Sequence, residues 1–364
     1  MMQDSLPERI RRASEGGRGG GFGICWQITW WLSRDIMKAM RLKAPFPWFG
    51  GKSKVADLVW QRFGDVANYV EPFAGSLAVL LLRPHWPWEG SRTETVNDLD
   101  CYVANFWRAL QYAPDEVAHY ADWPVNEADL HARHLWLVNQ HEFRERMKTD
   151  PDYFDSKIAG WWVWGQCLWI GSGWCRNAGR GVNRPLPHLG NAGRGVKRQR
   201  PDLGDGGRGV HRKLLHLGDA GRGVRLAAYL GTLAERLDRV RVCCGEWDRV
   251  LGPNVTFRHG LTGVLLDPPY GDKERMHGLY ACDSDSVAAK VREWAIENGD
   301  NPLLRIALCG YEGEHAMPDS WECVPWKSRG GYGSQGNGNG RKNAARERIW
   351  FSPHCLKTDD RRLF

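Results

Sequence analysis

The sequence Leu-Leu-Asp-Pro-Pro-Tyr-Gly occupies residues 265–271 and follows Gly263 and Val264. An apolar run that stops at an acid and two prolines is typical of a buried strand ending in a rigid turn, because proline cannot donate to a sheet ladder. Neither proline has an N–H, and the carbonyl of Pro268 can accept a hydrogen bond from outside the chain. Together with Asp267 and the ring of Tyr270 it suits an exocyclic aromatic amine, which needs two acceptors and a stacking face. A plain turn with a capping aspartate is the structural alternative.

The composition predicts a globular α/β protein with room for an inserted unit, because the chain has 364 residues of which 42% are hydrophobic. Its 10 cysteines contain no C-x-x-C pair and no secretory signal opens the chain, which predicts reduced thiols in a cytoplasmic protein. The apolar piece at residues 26–32 is too short to span a membrane. Residues 1–40 are rich in glycine, and methionines recur at Met37 and Met40. We therefore expect residues 1–40 to be a flexible extension that precedes the natural start.

Two glycine turns are candidates for ligand contact. Gly50 and Gly51 precede Lys52 and a helix-like stretch, an arrangement that offers close backbone approach and positive charge to a carboxylate. A strand-like run leads to Glu-Pro-Phe-Ala-Gly at residues 71–75, where Gly75 predicts a tight turn before a helix that carries the next apolar run. Ordinary loop-to-helix junctions are the alternative for both.

An acid ends the next strand-like run, at Asp98 in Thr-Val-Asn-Asp-Leu-Asp. A carboxylate about twenty residues after a glycine turn can accept hydrogen bonds from both hydroxyls of a ribose. Asp98 is the first candidate and Asp100 the second, although acids also end strands as helix caps. A helix-like stretch over residues 101–110 completes this β/α unit.

The alternation of strands and helices stops between residues 111 and 226, where a repeat with a period of 14 residues occupies residues 177–224. Residues 176–225 hold 12 Lys and Arg against 3 Asp, a net charge of +9 in a chain whose net charge is +7. The repeat is either a solvated expansion or a surface that follows a phosphate backbone. In the second interpretation one arginine of each unit meets phosphates or guanine edges, namely Arg180, Arg194, Arg208 and Arg222.

Taken in order, these motifs resemble the D12-class, Dam-like DNA adenine-N6 methyltransferases, and the repeat-bearing form is similar to phage or prophage members. The Asp-Pro-Pro-Tyr motif resembles the family's motif IV, and the resemblance implies a catalytic set of Asp267, Pro268, Pro269 and Tyr270. It implies S-adenosylmethionine as cofactor, bound by Trp48, Gly50, Gly51 and Lys52 (motif X), Glu71, Pro72, Phe73, Ala74 and Gly75 (motif I), Asp98, Glu246 and Trp247 (motif III), and Asp267. One departure is Leu77, which stands where motif I usually has a second glycine.

The resemblance implies a class I Rossmann-like fold: a seven-stranded, mainly parallel sheet with a final antiparallel strand and helices on both faces. The catalytic domain is expected at residues 41–110 and 227–364, interrupted by a DNA target-recognition region at residues 111–226. The expected activity is methylation of adenine N6 in double-stranded DNA, by direct transfer to a flipped base, in a monomer without metal or membrane attachment. Methylation of cytosine N4 and a catalytically idle DNA-binding protein are the competing hypotheses. Orphan, restriction-linked and phage-protective roles stay open.

Overall fold

The computed structural model describes residues 41–48, 50–84, 86, 90–123, 127–169, 174–175, 226–270, 285–326 and 346–357. The chain divides into two compact units, Met1–Arg41 with Pro84–Glu89 and Leu42–Arg83 with Gly90–Phe364. All helices and strands of the described residues lie in the second unit. The predicted extension at residues 1–40 and the repeat at residues 177–224 fall outside the described residues.

Seven strands form one sheet in the order β3-β2-β1-β4-β5-β7-β6. Their bounds are β1 Asn68–Glu71, β2 Thr93–Asp98, β3 Val240–Cys244, β4 Thr262–Leu266, β5 Leu304–Tyr311, β6 Glu322–Pro325 and β7 Glu347–Phe351. The pairs β3/β2, β2/β1, β1/β4 and β4/β5 are parallel, and β7 runs antiparallel to both β5 and β6. This confirms the predicted mixed α/β architecture with seven mostly parallel strands.

Strands β1 and β4 are buried along their whole length, as the apolar sequence of β4 predicted. Val70, Val264, Leu266, Ile306 and Leu308 meet in one apolar cluster between neighbouring strands. The sheet is therefore held by side chains of strands that lie far apart in the sequence.

Eight helices accompany the sheet in the described part of the chain: α1 Ala56–Phe63, α2 Cys101–Tyr112, α3 Pro114–Ala121, α4 Glu127–Val138, α5 His141–Thr149, α6 Ser156–Leu168, α7 Leu226–Leu237 and α8 Asp285–Asn298. Helix α2 coincides with the helix-like stretch predicted at residues 101–110. None of the helices in the described ranges is long and apolar enough to cross a membrane.

Helices α3 to α6 follow α2 in the chain, within the region predicted to hold target recognition. Helix α6 packs against α3 and α2, and α7 packs against the same two helices. The indole of Trp164 is fully buried there and donates to the carbonyl of Trp123. Four of the tryptophans at residues 161–174 are buried, namely Trp162, Trp164, Trp169 and Trp174. The predicted boundaries of the recognition region stay a prediction.

A buried charge cluster joins β2 to α7. The carboxylate of Glu94 in β2 accepts from both terminal nitrogens of Arg236, at 2.7 and 2.9 Å, and from Arg83 at 3.1 Å. All three side chains are less than 5% exposed. Such a cluster depends on each partner, because removing one leaves an uncompensated charge inside the protein.

The prediction of a helix directly after Gly75 is wrong. The chain continues in turns and makes a single 3₁₀ turn at Leu80–Leu82. Leu77 explains the difference, because its φ of 52° lies in the left-handed region, which a right-handed helix cannot contain. Its side chain is fully buried in the core.

Candidate functional site

The predicted ligand-binding groups lie where four neighbouring parallel strands end. Strand β1 ends at Glu71, β2 at Asp98 and β4 at Leu266, one residue before Asp267, and Trp247 follows the end of β3 closely. Carboxyl ends of adjacent parallel strands meet at one edge of a sheet, and ligands of open α/β folds bind in the crevice outside that edge. The structure thus brings the sequence-predicted motifs to one edge.

The turn after β1 is fixed by contacts to Gly75. Its N–H donates to Asp98 Oδ2 at 2.9 Å, and its carbonyl accepts from Trp107 Nε1 at 2.9 Å. Its φ is +46°, and a Cβ added there would lie 2.4 Å from Nε1 of Trp48. Only glycine satisfies both constraints, so this residue sets how closely Trp48 approaches the turn.

Asp98 and its neighbour Asn97 connect the ends of three strands. Asn97 Nδ2 donates to the carbonyls of Pro72 and Gly245, at 3.1 and 2.9 Å, and Gly245 N–H donates to the Asp98 carbonyl at 3.2 Å. Asp98 Oδ1 accepts from Asp100 N–H at 2.8 Å. Asp100, the second ribose candidate, instead caps helix α2, which fits the structural alternative.

Aromatic rings from two motifs face each other at this edge. The rings of Phe73 and Trp247 are nearly parallel, with an interplanar angle of 19° and centroids 6.3 Å apart. Glu246 is exposed and precedes the 3₁₀ turn that carries Trp247. Phe73 and Trp247 belong to separate motifs in the sequence, and the parallel pairing of β1, β2 and β3 brings them together.

Asp267 pairs with Lys52 at the end of β4. Lys52 Nζ lies 2.8 Å from Asp267 Oδ2 and also donates to the Gly50 carbonyl at 2.9 Å. The Lys52 side chain is 5% exposed and that of Asp267 is 23% exposed. The sequence analysis predicted that Lys52 offers its positive charge to a carboxylate of the ligand. In this structure the ammonium group of Lys52 contacts Asp267. Gly50 has a positive φ of 73°, a backbone conformation that favours glycine. Its predicted close approach to a ligand stays a prediction.

The hydroxyl of Tyr270 lies between two carboxylates. Its oxygen is 3.2 Å from Asp267 Oδ1 and 3.0 Å from Glu347 Oε2. Its ring makes an edge-to-face contact with Tyr311, with centroids 4.6 Å apart, and Lys52 Nζ is 5.3 Å from the Tyr270 centroid. Strand β7 places Glu347 opposite Tyr311 of β5.

Asn97, Tyr311 and Glu347 are the site residues that sequence reasoning missed. Asn97 directly precedes a predicted site residue, and the buried end of β2 could have drawn attention to it. Glu347 opens a strand-like run, where an acid gives no distinctive signal. Its place at the site follows from the insertion of β7 between β5 and β6.

Comparison with known proteins identifies the segment that carries the first two motifs. Residues 48–154 match the D12 class N6 adenine-specific DNA methyltransferase family. The match confirms the resemblance inferred from the motifs and supports adenine methylation in DNA as the general activity. No curated protein matches the chain.

The segment that matches the D12-class model runs from Trp48 to Phe154 and includes Asp98, and the Asp267–Tyr270 turn lies beyond it. The two parts meet at the same edge of the sheet, through the ion pair between Lys52 and Asp267. The turn therefore adds its polar groups to the edge of the sheet at which β1 and β2, both in the matched segment, end.

Two buried carboxyl groups at this edge have raised pKa values. Burial raises the pKa of Glu71 well above its ordinary value, despite the hydrogen bond that the carboxylate accepts from Tyr69 at 3.0 Å. Burial likewise raises the pKa of Asp98, to about 7, and the nearby Asp100 adds to the shift. Asp267 also repels the charge of Glu71. A cation bound among these groups would favour their ionised forms.

The arginines predicted to contact DNA, Arg180, Arg194, Arg208 and Arg222, lie outside the described residues. In the described ranges there is no group of three or more His, Cys, Asp or Glu side chains that could hold a metal ion. All eight cysteines of those ranges are free thiols.

Proposed function

We propose that the protein is a site-specific DNA methyltransferase that transfers a methyl group from S-adenosylmethionine to N6 of adenine in double-stranded DNA. The observation that carries the proposal is the contact between Lys52, at the end of the loop that opens the matched D12-class segment, and Asp267 of the Asp-Pro-Pro-Tyr turn. A cofactor loop and an amine-binding turn then share one edge of the sheet.

The residues at this edge fit S-adenosylmethionine, which supplies a methyl group on a positively charged sulfur. Gly75 keeps the turn free of a side chain, so that a ligand can approach the backbone beside Trp48. Phe73 and Trp247 offer aromatic faces for an adenine ring. Asp98 would accept from the ribose hydroxyls. A cation bound beside Glu71 would favour the ionised form of this carboxyl group, whose pKa burial raises.

The turn after β4 would bind the target amine. The N6 lone pair of adenine is delocalised into the ring, and two N–H acceptors shift electron density back to nitrogen. Asp267 and the Pro268 carbonyl supply these acceptors, and Lys52 holds the Asp267 carboxylate in place through an ion pair at 2.8 Å. Orientation and fixed charges would then provide most of the acceleration.

The target base has to leave the DNA duplex to reach this edge, because N6 of a stacked and paired adenine is not accessible to a buried site. The ring of Tyr270 would stack on the flipped base. The basic repeat would supply most of the DNA affinity through contacts to phosphates. Replacing Arg180, Arg194, Arg208 and Arg222 by alanine should then lower the slope of log affinity against log salt by about 0.9 for each lost phosphate contact. An unchanged slope would show that the repeat does not bind DNA.

The proposed activity is tested by single-turnover transfer of labelled methyl to duplex DNA at saturating cofactor. We expect wild type to form N6-methyladenine and Asp267→Ala to be slower by roughly a hundredfold or more, since it loses an interaction that matters most in the transition state. Asp319→Ala, which changes an exposed aspartate between β5 and β6, is the matched control and should keep the wild-type rate.

The identity of the modified base separates the competing functions. Finding N4-methylcytosine in the product would show that the substrate base is cytosine and not adenine. DNA binding by wild type without transfer to any duplex tested would contradict a methyltransferase and favour a binding protein. Equal rates for wild type and Asp267→Ala would show that Asp267 is only a turn residue.

A further inference from the structure

A buried carboxyl group lies behind the proposed amine site. Glu347 is 5% exposed, and in the described part of the chain the hydrogen-bond partner of its carboxyl is the Tyr270 hydroxyl, at 3.0 Å. The same hydroxyl lies 3.2 Å from Oδ1 of Asp267. Asp267, Tyr270 and Glu347 thus form a continuous chain of oxygen atoms that leads from the proposed position of the target amine into the protein.

The two oxygen–oxygen contacts of the Tyr270 hydroxyl, to Asp267 and to Glu347, share a single hydrogen. A tyrosine hydroxyl has one hydrogen, and ionised carboxylates can only accept. When Asp267 and Glu347 are both ionised, one of the two short contacts to Tyr270 has no hydrogen in it. The other oxygen of Asp267, Oδ2, is paired with Lys52. The chain can therefore take one additional proton, between Asp267 and Tyr270, without any rearrangement of heavy atoms.

Methylation of an exocyclic amine releases one proton. We propose that Glu347 is the final acceptor of this proton, which reaches it from Asp267 through the Tyr270 hydroxyl. The inference rests on the proposed methyl transfer and deepens it, because it assigns a role to a residue on β7, outside the matched segment.

The proton transfers balance as follows. The N–H bond of the methylated amine breaks, its electron pair stays on nitrogen, and the proton joins Asp267 Oδ1. Asp267 then donates this proton to the Tyr270 oxygen while the original hydroxyl hydrogen of Tyr270 moves to Glu347 Oε2. At the end Asp267 is again a carboxylate, Tyr270 is again a neutral phenol and Glu347 is a neutral acid.

The surroundings of Glu347 favour its protonated form. Burial raises its pKa and Asp267 adds to the rise, while Lys52 and the hydrogen bond from Tyr270 act in the opposite direction. Among the described residues, the charged and titratable groups that interact with Glu347 are Lys52, Asp267, Tyr270, Cys309 and Glu314, while Tyr311 is its register partner in β5 and Arg348 is its neighbour in β7. A carboxylate made more basic by burial is a stronger proton acceptor than water or an exposed glutamate.

The other buried carboxyl groups at this edge are engaged elsewhere. Glu71 accepts from Tyr69, two positions earlier in β1. The two oxygens of Asp98 accept from the N–H groups of Gly75 and Asp100. Glu347, by contrast, shares the Tyr270 hydroxyl with Asp267.

Glu347→Gln tests the inference, because glutamine keeps the size and can accept from Tyr270 but cannot take up the proton. We expect its single-turnover methyl transfer to be slower by about a hundredfold. Glu347→Asp retains a carboxyl group and should recover part of the rate. Glu312→Gln is the matched control, because Glu312 is 63% exposed and pairs with Arg348, the residue that follows Glu347 in β7. Unchanged cofactor affinity in Glu347→Gln would show that the fold and the cofactor site are intact.

The pH profile separates proton transfer from a positioning role. Wild-type transfer should fall as the pH drops through the raised pKa of Glu347, because the protonated acid cannot accept. Glu347→Gln should be slow without this acidic limb. Infrared difference spectra should show a protonated carboxyl band appearing after turnover in wild type and not in Glu347→Gln.

A wild-type rate in Glu347→Gln would overturn the inference and leave the methyltransferase proposal standing. The same holds if the acidic limb persists unchanged in Glu347→Gln. Failure of wild type to methylate any DNA would instead overturn the proposed function, and the inference with it.

Discussion

Gly75→Ala tests the geometry of the turn that brings Trp48 against the proposed cofactor site. The added Cβ would lie 2.4 Å from Trp48 Nε1, 3.0 Å from Cε2 and 3.1 Å from Cδ1. An ordinary contact needs about 3.4 Å or more, so the indole or the turn must shift by about 1 Å. The backbone cannot relax easily, because Asp98 and Trp107 hold both sides of Gly75.

The expected loss has two physical sources. An alanine at a φ of +46° costs about 1–2 kcal/mol relative to glycine, because its Cβ crowds the backbone in the left-handed region. Overpacking against the indole costs about 1–3 kcal/mol. We expect Gly75→Ala to lower the free energy of unfolding by about 2–5 kcal/mol. Displacement of the Trp48 wall should also weaken S-adenosylmethionine binding at least tenfold, as an order of magnitude.

Urea unfolding and calorimetric titration measure the two effects. A double-mutant cycle with Trp48→Ala separates them, because truncating the indole removes the clash and leaves the backbone strain. The double variant should recover about 1–3 kcal/mol relative to the sum of the two single changes. Gly231→Ala is the matched control: it lies inside α7 with no atom within 4 Å of the added Cβ, and should raise stability by about 0.5–1 kcal/mol.

Two results would refute this reasoning. One is a Gly75→Ala protein as stable as wild type with unchanged cofactor affinity, which would mean that the turn is not pinned against Trp48. The other is strict additivity with Trp48→Ala, which would show that the clash contributes nothing. Loss of stability with unchanged affinity would refute only the assignment of Trp48 to the cofactor site.

The remaining predictions concern stability. Glu94→Gln should lower the free energy of unfolding by about 3–5 kcal/mol in urea titrations, because it leaves two buried arginines uncompensated, whereas Asp65→Asn at an exposed ion pair should cost less than about 1 kcal/mol. Since the folded-state pKa of Asp98 is raised to about 7, its contribution to stability is complete below its unfolded pKa and is lost as the pH rises through about 7. Asp98→Asn should therefore gain stability relative to wild type as the pH rises from about 4 to about 7, and a pH-independent difference would contradict the raised pKa. Leu77→Gly should be more stable than Leu77→Ala by about 1–2 kcal/mol more than Leu80→Gly is relative to Leu80→Ala, since both leucines are fully buried and, of the two, only Leu77 has a positive φ. Equal glycine-to-alanine differences at the two positions in urea unfolding would contradict this.

Much of the site edge could be predicted from the sequence because it is written in local patterns. The apolar run of β4 stops at Asp267, and a buried parallel strand has to end where its polar groups begin. Asp98 could be selected in the same way at the end of β2. In parallel strands these ends meet at one edge, so local patterns also give a coarse picture of which residues are neighbours.

Other features depend on tertiary contacts that local patterns do not contain. Turn and helix signals around Gly75 predict a helix, but the left-handed backbone at Leu77 breaks it, and burial of the leucine side chain sustains that conformation. The pairing of Lys52 with Asp267 joins two loops that lie more than 200 residues apart. Glu347 reaches Tyr270 only because β7 is inserted between β5 and β6.

The strand order has a consequence for how the polypeptide could be divided. Strands β1 and β2 precede the basic repeat and β3 to β7 follow it, yet β1 and β2 lie between β3 and β4 in the sheet. A chain cut within the repeat would give one piece with two unpaired sheet edges and another whose sheet is missing its middle. Such edges readily pair with a complementary chain. We expect the two pieces, when expressed separately, to assemble by placing β1 and β2 between β3 and β4. The ion pair between Glu94 and Arg236 would then form between the two pieces. Because Lys52 and Asp267 lie on different pieces, methyl transfer would serve as the reporter of assembly, and neither piece alone would have it.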